Sequence, residues 1–480
     1  MPAENVFFLP VKDFCQRNVV TCSPDISLVE AAGIMRSENI SSIVVCEGGA
    51  PIGIVTDRDL RNKVVAPGLD PRALGVRGVM NAPLIVVTED DYLFEALYRM
   101  TRHSIHRVGV VNSAGKLTGI ITNSDILRLQ SRSPQQLMRD IEEAQNLEDL
   151  KNLHRQVQDL VVHLVGTGVA TRDLVRTIAH LNDRILLRLI VLLRSERFPD
   201  LTDDFAFVVL GSEGRREQTL TTDQDNAIVY ADDLPALEIK KLEEFSQILI
   251  DNLIYIGVPP CPGGIMAKND TWRRSLSSWA DVLDRWLGSA TPENILNGSM
   301  FFDLRTLYGD ARFERALKAQ VTENLQRNEG FLARTAANVL RFKVPLGLFG
   351  RIKVETHGEH MGKLDVKRAG IFAITEGIKV LALEAGIVTG GTRERMHALL
   401  EAKILGRKQA EDLEASFNFL AFLRLRGQVA ALREKREPIN YIALSQLNRM
   451  EVGRLRLALE EVKAFQAFLK LHFQVNLLNN

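Results

Sequence analysis

The chain is 480 residues long, room for about three domains, and its 46% hydrophobic and 25% charged composition is that of packed globular domains rather than of a disordered chain. Sixty lysines and arginines balance sixty aspartates and glutamates, so no overall field draws the molecule to nucleic acid or to an anionic membrane, and anion binding has to come from local sites. Cys15, Cys22, Cys46 and Cys261 form no C-x-x-C pair, which argues against a zinc finger or a disulfide framework and suits free thiols in a reducing cytoplasm. The first residues, MPAENVFFLPVKDF, lack the basic-then-apolar order of a signal peptide. The most apolar run, ILLRLIVLL at 185–193, is interrupted by Arg188 and is far shorter than the ~20 residues that span a bilayer, so it reads as a buried helix. The expected location is the cytoplasm, without membrane contact.

In chain order, the first elements come as a repeat. GIVTDRDL from Gly53 returns as GIITNSDI from Gly119, and NVVTCSPDISLVEAAGIMRSENISSIVVCEGG upstream of the first matches PLIVVTEDDYLFEALYRMTRHSIHRVGVVNSAG upstream of the second. Each copy reads as a short strand, an amphipathic helix, two strands joined by a glycine turn, and a helix. Leu28, Ala31, Ala32 and Met35 recur at helical spacing in the first helix, and SSIVVCEGGAPIGIVT is a hairpin signal. Thr56 with Asp59, and Thr122 with Asp125, stand where a strand turns into a helix. A hydroxyl and backbone amides there can hold phosphate, and a carboxylate three residues on can accept both hydrogen bonds of a ribose diol. The same T-x-x-D is also the pattern of a helix cap.

With G-h-h-T-x-x-D-h met twice, residues 8–130 resemble tandem CBS domains, at about 8–66 and 75–130. The resemblance implies AMP, ADP or ATP as a regulatory ligand held by Thr56, Asp59, Thr122 and Asp125, and a homodimer formed through the CBS pair. Gly109 stands where strands of this kind commonly carry proline.

From Ser133 to about Leu201, LEDLKNLHRQVQDLVVHLV and RDLVRTIAHLNDRILLRLIVLL are helical, parted by Gly166 and Gly168. FAFVVL then reads as a buried strand that Gly211-Ser212 ends sharply, EGRREQ as a turn into a short helix, and NAIVY as a second strand. Asp223 and Asp225 precede NAIVY two residues apart, on one face of extended chain. Two carboxylates on one face repel unless a cation lies between them, and oxygen ligands of this kind suit Mg²⁺ or Mn²⁺. Gly211 and Ser212 offer an anion nest, and Arg215 and Arg216 further positive charge for phosphate. Together these parts suit in-line nucleotidyl transfer from an NTP donor, with pyrophosphate leaving.

The G-S-x10-D-x-D arrangement resembles the polymerase-β-type nucleotidyltransferases, and the longer GSEGRREQTLTTDQDNAIVY resembles a branch related to the PII uridylyltransferases. CPGGIMAKN at 261–269, FFDLRTLYGD at 301–310 and the stretch from PLGLFGRIKVETHGEHMGKLDVKRAG onward are similar to the same branch, whose C-terminal helical domain is a substrate-binding domain. The resemblance implies Asp223 and Asp225 as metal and catalytic residues, Gly211, Ser212, Arg215 and Arg216 as NTP-binding residues, and a protein as acceptor. The superfamily usually adds a third carboxylate on a later strand; CPGGIMAKN supplies none, so Asp303 is the expected third acid, with Arg305 as an alternative partner for it.

Residues from about 331 onward are helix-rich, punctuated by Gly386, Gly390, Gly391 and Gly406. Lys363, Lys367 and Arg368 form a basic cluster that could reach the nucleotide or an acidic acceptor. His357 and His360 lack the partners of a metal site, Gly358 to Lys363 lacks the spacing and the Ser or Thr of a P-loop, and no His-Asp pair marks a hydrolase domain. The expected architecture is multidomain α/β and α: the CBS pair, a helical lead-in plus nucleotidyltransferase-like domain at 134–315, and a helical bundle at 330–475. The expected function is CBS-regulated nucleotidyl transfer; the alternative is a non-catalytic adenine-nucleotide sensor and signalling scaffold.

Overall fold

The computed structural model describes residues 8–126, 134–165, 169–220, 223–289, 291–434 and 436–479; Gly166 and Gly168 lie outside them. The chain divides into two compact units, residues 1–133 and 134–480.

In the first unit the repeat becomes two small sheets. The first holds β1 (Thr21–Cys22), β2 (Ser42–Glu47) and β3 (Ala50–Thr56), with α1 (Leu28–Ser37) between β1 and β2. The second holds β4 (Val86–Thr88), β5 (Arg107–Val111) and β6 (Leu117–Thr122), with α2 (Leu93–Arg102) in the corresponding place. In each sheet the first strand runs parallel to the second and the second antiparallel to the third. Gly48 and Gly49, both at positive φ, close the expected β2–β3 hairpin, a turn that residues with a Cβ adopt poorly. Leu28, Ala31 and Met35 of α1 are buried, as are Leu93, Ala96 and Met100 at the same spacing in α2.

The second unit opens with α3 (Pro134–Glu143), α4 (Leu147–Leu164) and α5 (Thr171–Glu196), which pack on a four-stranded sheet. Its strands are β7 (Phe205–Val209), β8 (Asn226–Tyr230), β9 (Arg273–Ser275) and β10 (Arg305–Gly309), in the order β10-β7-β8-β9. β7 runs antiparallel to both neighbours, and β8 runs parallel to β9. The period-two alternation of a strand splits β7 between two cores. Phe205, Phe207 and Val209 meet the lead-in helices and α6 (Ala236–Ile256). Ala206 and Val208 face the other way, toward Trp279 and Trp286 of α7 (Leu276–Gly288) and Phe301 of α8 (Pro292–Phe301).

That second core does not stop at the sheet. It continues through α9 (Arg312–Arg327) and α10 (Glu329–Leu340) into α11 (Phe372–Glu384), α12 (Thr392–Glu401), α13 (Arg407–Arg433) and α14 (Arg449–His472), reaching Leu459 and Phe465. The sheet and the C-terminal helices therefore share one apolar interior, which fixes the wall they form together. No helix among the described residues is long and apolar enough to cross a membrane.

Candidate active site

The site begins where β7 ends. The Leu210 amide donates to the Asp225 carbonyl at 2.8 Å, which sets the turn after β7 beside the segment that leads into β8. Gly211 has a φ of +51°, and a Cβ there would lie 2.6 Å from Met300 Cε and 3.3 Å from Asp225 Oδ2, in the space beside the carboxylate. A helical turn, Gly211–Gly214, follows directly, so the helix starts two residues before the expected EGRREQ. Gly214 is required by close approach: a Cβ would stand 1.8 Å from the Asp303 carbonyl oxygen.

Gly211, Ser212, Arg215, Arg216, Asp223, Asp225 and Asp303 all line one cleft of about 1060 Å³, closed on its other side by residues of the C-terminal region that include Lys367, Arg393, Arg424 and Tyr441. Asp223 is exposed and Asp225 half-buried. Burial raises the proton affinity of Asp225; a hydrogen bond from the Cys261 thiol lowers it, the neighbouring charge of Asp223 raises it, and the result is a pKa pushed up to about 6. Two neighbouring carboxylates at the mouth of an open cleft fit one divalent cation, with phosphate and water oxygens free to complete its shell. Among the described residues no group of three or more His, Cys, Asp or Glu side chains converges as a ready-made metal cage.

Asp303, the expected third acid, lines the cleft, but its carboxylate is engaged by cations. It is buried just ahead of β10, and its carboxylate is taken by three cations: Lys379 Nζ at 2.8 Å, Arg395 Nη1 at 2.6 Å, and Arg215 Nη1. Burial opposes its ionisation, but the charges of Lys379, Arg215 and Arg395 outweigh that and hold the carboxyl below the ordinary range. Arg305 does not pair with it; Arg305 Nη2 lies 2.8 Å from Asp183 and donates to the Glu213 carbonyl at 3.0 Å. Arg215, expected at the donor phosphates, is committed to Asp303 and, through Nε at 2.7 Å, to Glu217. Glu217 in turn accepts from the Thr392 amide at 2.6 Å, tying the glycine turn to α12. Arg216 is more open, with its side chain 61% exposed and Nε 3.7 Å from Asp183.

Sequence reasoning missed Glu213 and Cys261. Glu213 is buried inside the glycine turn, accepts from Gln218 Nε2 at 2.6 Å, and is pushed up to about 8 by burial and by the charges of Asp225 and Asp183. It lines a small cavity of mixed polarity with His154, Gln224 and Asn226. Asn226 Oδ1 accepts from the Ala267 amide at 2.8 Å, which stitches the CPGGIMAKN stretch to β8 and brings Cys261 to Asp225. A lone glutamate in a turn and a lone cysteine carry no spacing signal; only the fold brings them to the site.

In the first unit both T-x-x-D pairs form reciprocal helix caps. Thr56 Oγ1 accepts from the Asp59 amide at 3.3 Å while Asp59 Oδ2 accepts from the Thr56 amide at 3.0 Å; Thr122 and Asp125 repeat this at 3.2 and 2.9 Å. The second oxygens differ. Asp59 Oδ1 accepts from Asn81 Nδ2 at 2.8 Å and lies 3.3 Å from Lys63 Nζ, and the residue is buried. Asp125 Oδ1 meets only the Gln16 amide group, at 3.2 Å, among the described residues, and Asp125 is partly open.

Three family models match the chain. One, described as "CBS domain", matches residues 11–66 and 76–132; one, described as "Putative nucleotidyltransferase DUF294", matches 155–293; and one, described as "Putative nucleotidyltransferase substrate binding domain", matches 329–473. "Uncharacterized protein MK0525" of Methanopyrus kandleri is 41% identical over 121 residues, which is 25% of this chain and 62%, under two thirds, of that protein. The CBS domain-containing protein YhcV of Bacillus subtilis is 34% identical over 116 residues, 24% of this chain and 81% of its own length. Among solved structures, the CBS-domain containing protein ATU1752 from Agrobacterium tumefaciens is 30% identical with a TM-score of 0.24, over 25% of this chain and 99% of that one.

Proposed function

The chain belongs to the CBS-domain proteins and carries, beyond its CBS pair, a nucleotidyltransferase-family domain with that family's substrate-binding companion; from that premise we propose that it transfers a nucleotidyl group from an NTP to an acceptor, a protein by the likeness to PII uridylyltransferases, under control of an adenine nucleotide at the CBS pair. The observation that carries this reading is the shared cleft in which Asp223, Asp225 and the Gly211-Ser212 turn face the C-terminal helices. Asp223 and Asp225 would hold a Mg²⁺ or Mn²⁺ ion, which when bound neutralises phosphate charge and sharpens the acceptor oxygen as a nucleophile. The Gly211-Ser212 turn holds phosphate oxygens through backbone amides and a hydroxyl. Arg216 adds positive charge at the rim. Arg215 acts indirectly, by tying the turn to Asp303 and Glu217. In the CBS pair, Asp125 is the carboxylate with room for a ribose diol, because Asp59 is buried under Asn81 and Lys63.

The caged Asp303 favours one rival, a non-catalytic adenylate sensor, because the acid expected to draw the acceptor's proton is held by three cations. One experiment separates the two. Pyrophosphate release is measured from each NTP with Mg²⁺ or Mn²⁺, with and without AMP, using cell extract as acceptor. Transfer predicts release that disappears in Asp223→Asn/Asp225→Asn and an AMP effect that disappears in Asp125→Ala. Folded wild-type protein that releases nothing with any NTP would sink the transfer reading in favour of the sensor.

A further inference from the structure

The cations of the cleft fall into two groups. Arg215 and Arg395 are bound to Asp303, and Arg393 to Glu414 at 2.7 Å. Arg424 on α13 and Lys367 ahead of α11 line the same cleft with no carboxylate at ion-pair distance among the described residues. Arg424 is only 8% exposed; its Nε donates to Asn440 Oδ1 at 2.7 Å.

A guanidinium held out of water without a counter-ion is a standing cost to the fold, and arginine does not escape it by giving up its proton. Burial lowers the proton affinity of Arg424 to about 10, and burial followed by the charge of Arg424 lowers that of Lys367. Asp223, Asp225 and Asp365 act on them only from beyond ion-pair distance, and Asp365 is occupied in accepting from the Arg368 amide at 3.0 Å. Two cations placed together without a counter-ion are an arrangement that an anion completes. The planar fork of Arg424 with the point charge of Lys367 suits the oxygens of a phosphate or carboxylate.

We infer that Arg424 and Lys367 form an anion subsite on the C-terminal wall of the cleft, within electrostatic reach of Asp223 and Asp225. This rests on the transfer reading and narrows its substrates: the anion is either the terminal phosphate of the NTP donor or an acidic group on the acceptor.

The test is calorimetric titration of the full chain with inorganic pyrophosphate and with inorganic phosphate, in the absence of metal. Wild type is expected to bind pyrophosphate. Arg424→Gln is expected to weaken that binding at least tenfold, and Lys367→Ala several-fold. Unchanged affinity in both variants, or no binding of either anion by wild type, overturns the subsite. Repeating the phosphate titration at saturating Mg-ATP identifies the source. Phosphate displaced by ATP assigns the subsite to the donor, and phosphate still bound in an Arg424-dependent way assigns it to the acceptor. Because these titrations need no turnover, an Arg424-dependent anion site in a protein that releases no pyrophosphate would leave the subsite standing while the transfer reading falls.

Discussion

Asp303 shows how a single buried residue can serve the site without facing the reaction. Its carboxylate joins Lys379, Arg395 and Arg215, of which Lys379 also pairs with Glu376 and Arg215 with Glu217, and through Arg215 it holds the turn that carries Ser212. Asp303→Asn removes that charge and leaves cations buried without it, so it is expected to destabilise the second unit by about 3–5 kcal/mol. The pH dependence has a definite sign. The folded carboxyl titrates below its unfolded value of about 3.9, so its contribution is fully present above that value and is lost as pH falls through it toward the folded pKa. Urea unfolding should therefore show a gap between wild type and variant that is constant from about pH 8 to 5 and narrows below about pH 4; a gap that widens on acidification would contradict the cage. Asp303 was conspicuous in the sequence because an acid in FFDLR is unusual, but its partners were not, since Arg395 lies 92 positions downstream.

At the scale of elements, glycines separate positions that the fold requires from positions it tolerates. Gly214 packs its α-carbon against the Asp303 backbone, and neither side can yield, because a Cβ would come within 1.8 Å of one carbonyl and 3.1 Å of another. Gly214→Ala is expected to destabilise by about 3 kcal/mol or more, by overpacking against backbone. Gly453, inside α14, has nothing within 4 Å of its Cβ direction. Gly453→Ala is expected to stabilise by about 0.5–1 kcal/mol, through the helix propensity alone. Thermal melts of the two variants should move in opposite directions, and a neutral Gly214→Ala would refute the tight approach of the turn to the segment before β10. The strands and helices themselves were legible, because periodicity of two or 3.6 is written locally: FAFVVL, NAIVY and the long C-terminal helices fall where their patterns put them. The start of the helical turn at Gly211 was not, because a four-residue turn has no periodicity to read.

At the scale of the whole molecule, the two units have separate interiors, the first built around Leu28, Val45 and Val108, the second around the sheet and the C-terminal helices. Calorimetry is expected to resolve two unfolding transitions. AMP at about 100 times its dissociation constant should stabilise the CBS unit by about 2.7 kcal/mol, raising its transition by several degrees and the other by less. A single transition displaced as one would contradict the separate cores. The sequence by itself determined the repeat, the capping residues, the strands and helices, and the aspartate pair beside the glycine turn, because each is encoded within a few neighbouring residues. Only the tertiary structure decided that Asp303 is an anchor, that Glu213 and Cys261 attend Asp225, that Asp59 is closed where Asp125 is open, and that Arg424 and Lys367 stand without counter-ions. Burial and long-range charge pairing settle those points, and both depend on which distant segments the shared core brings together.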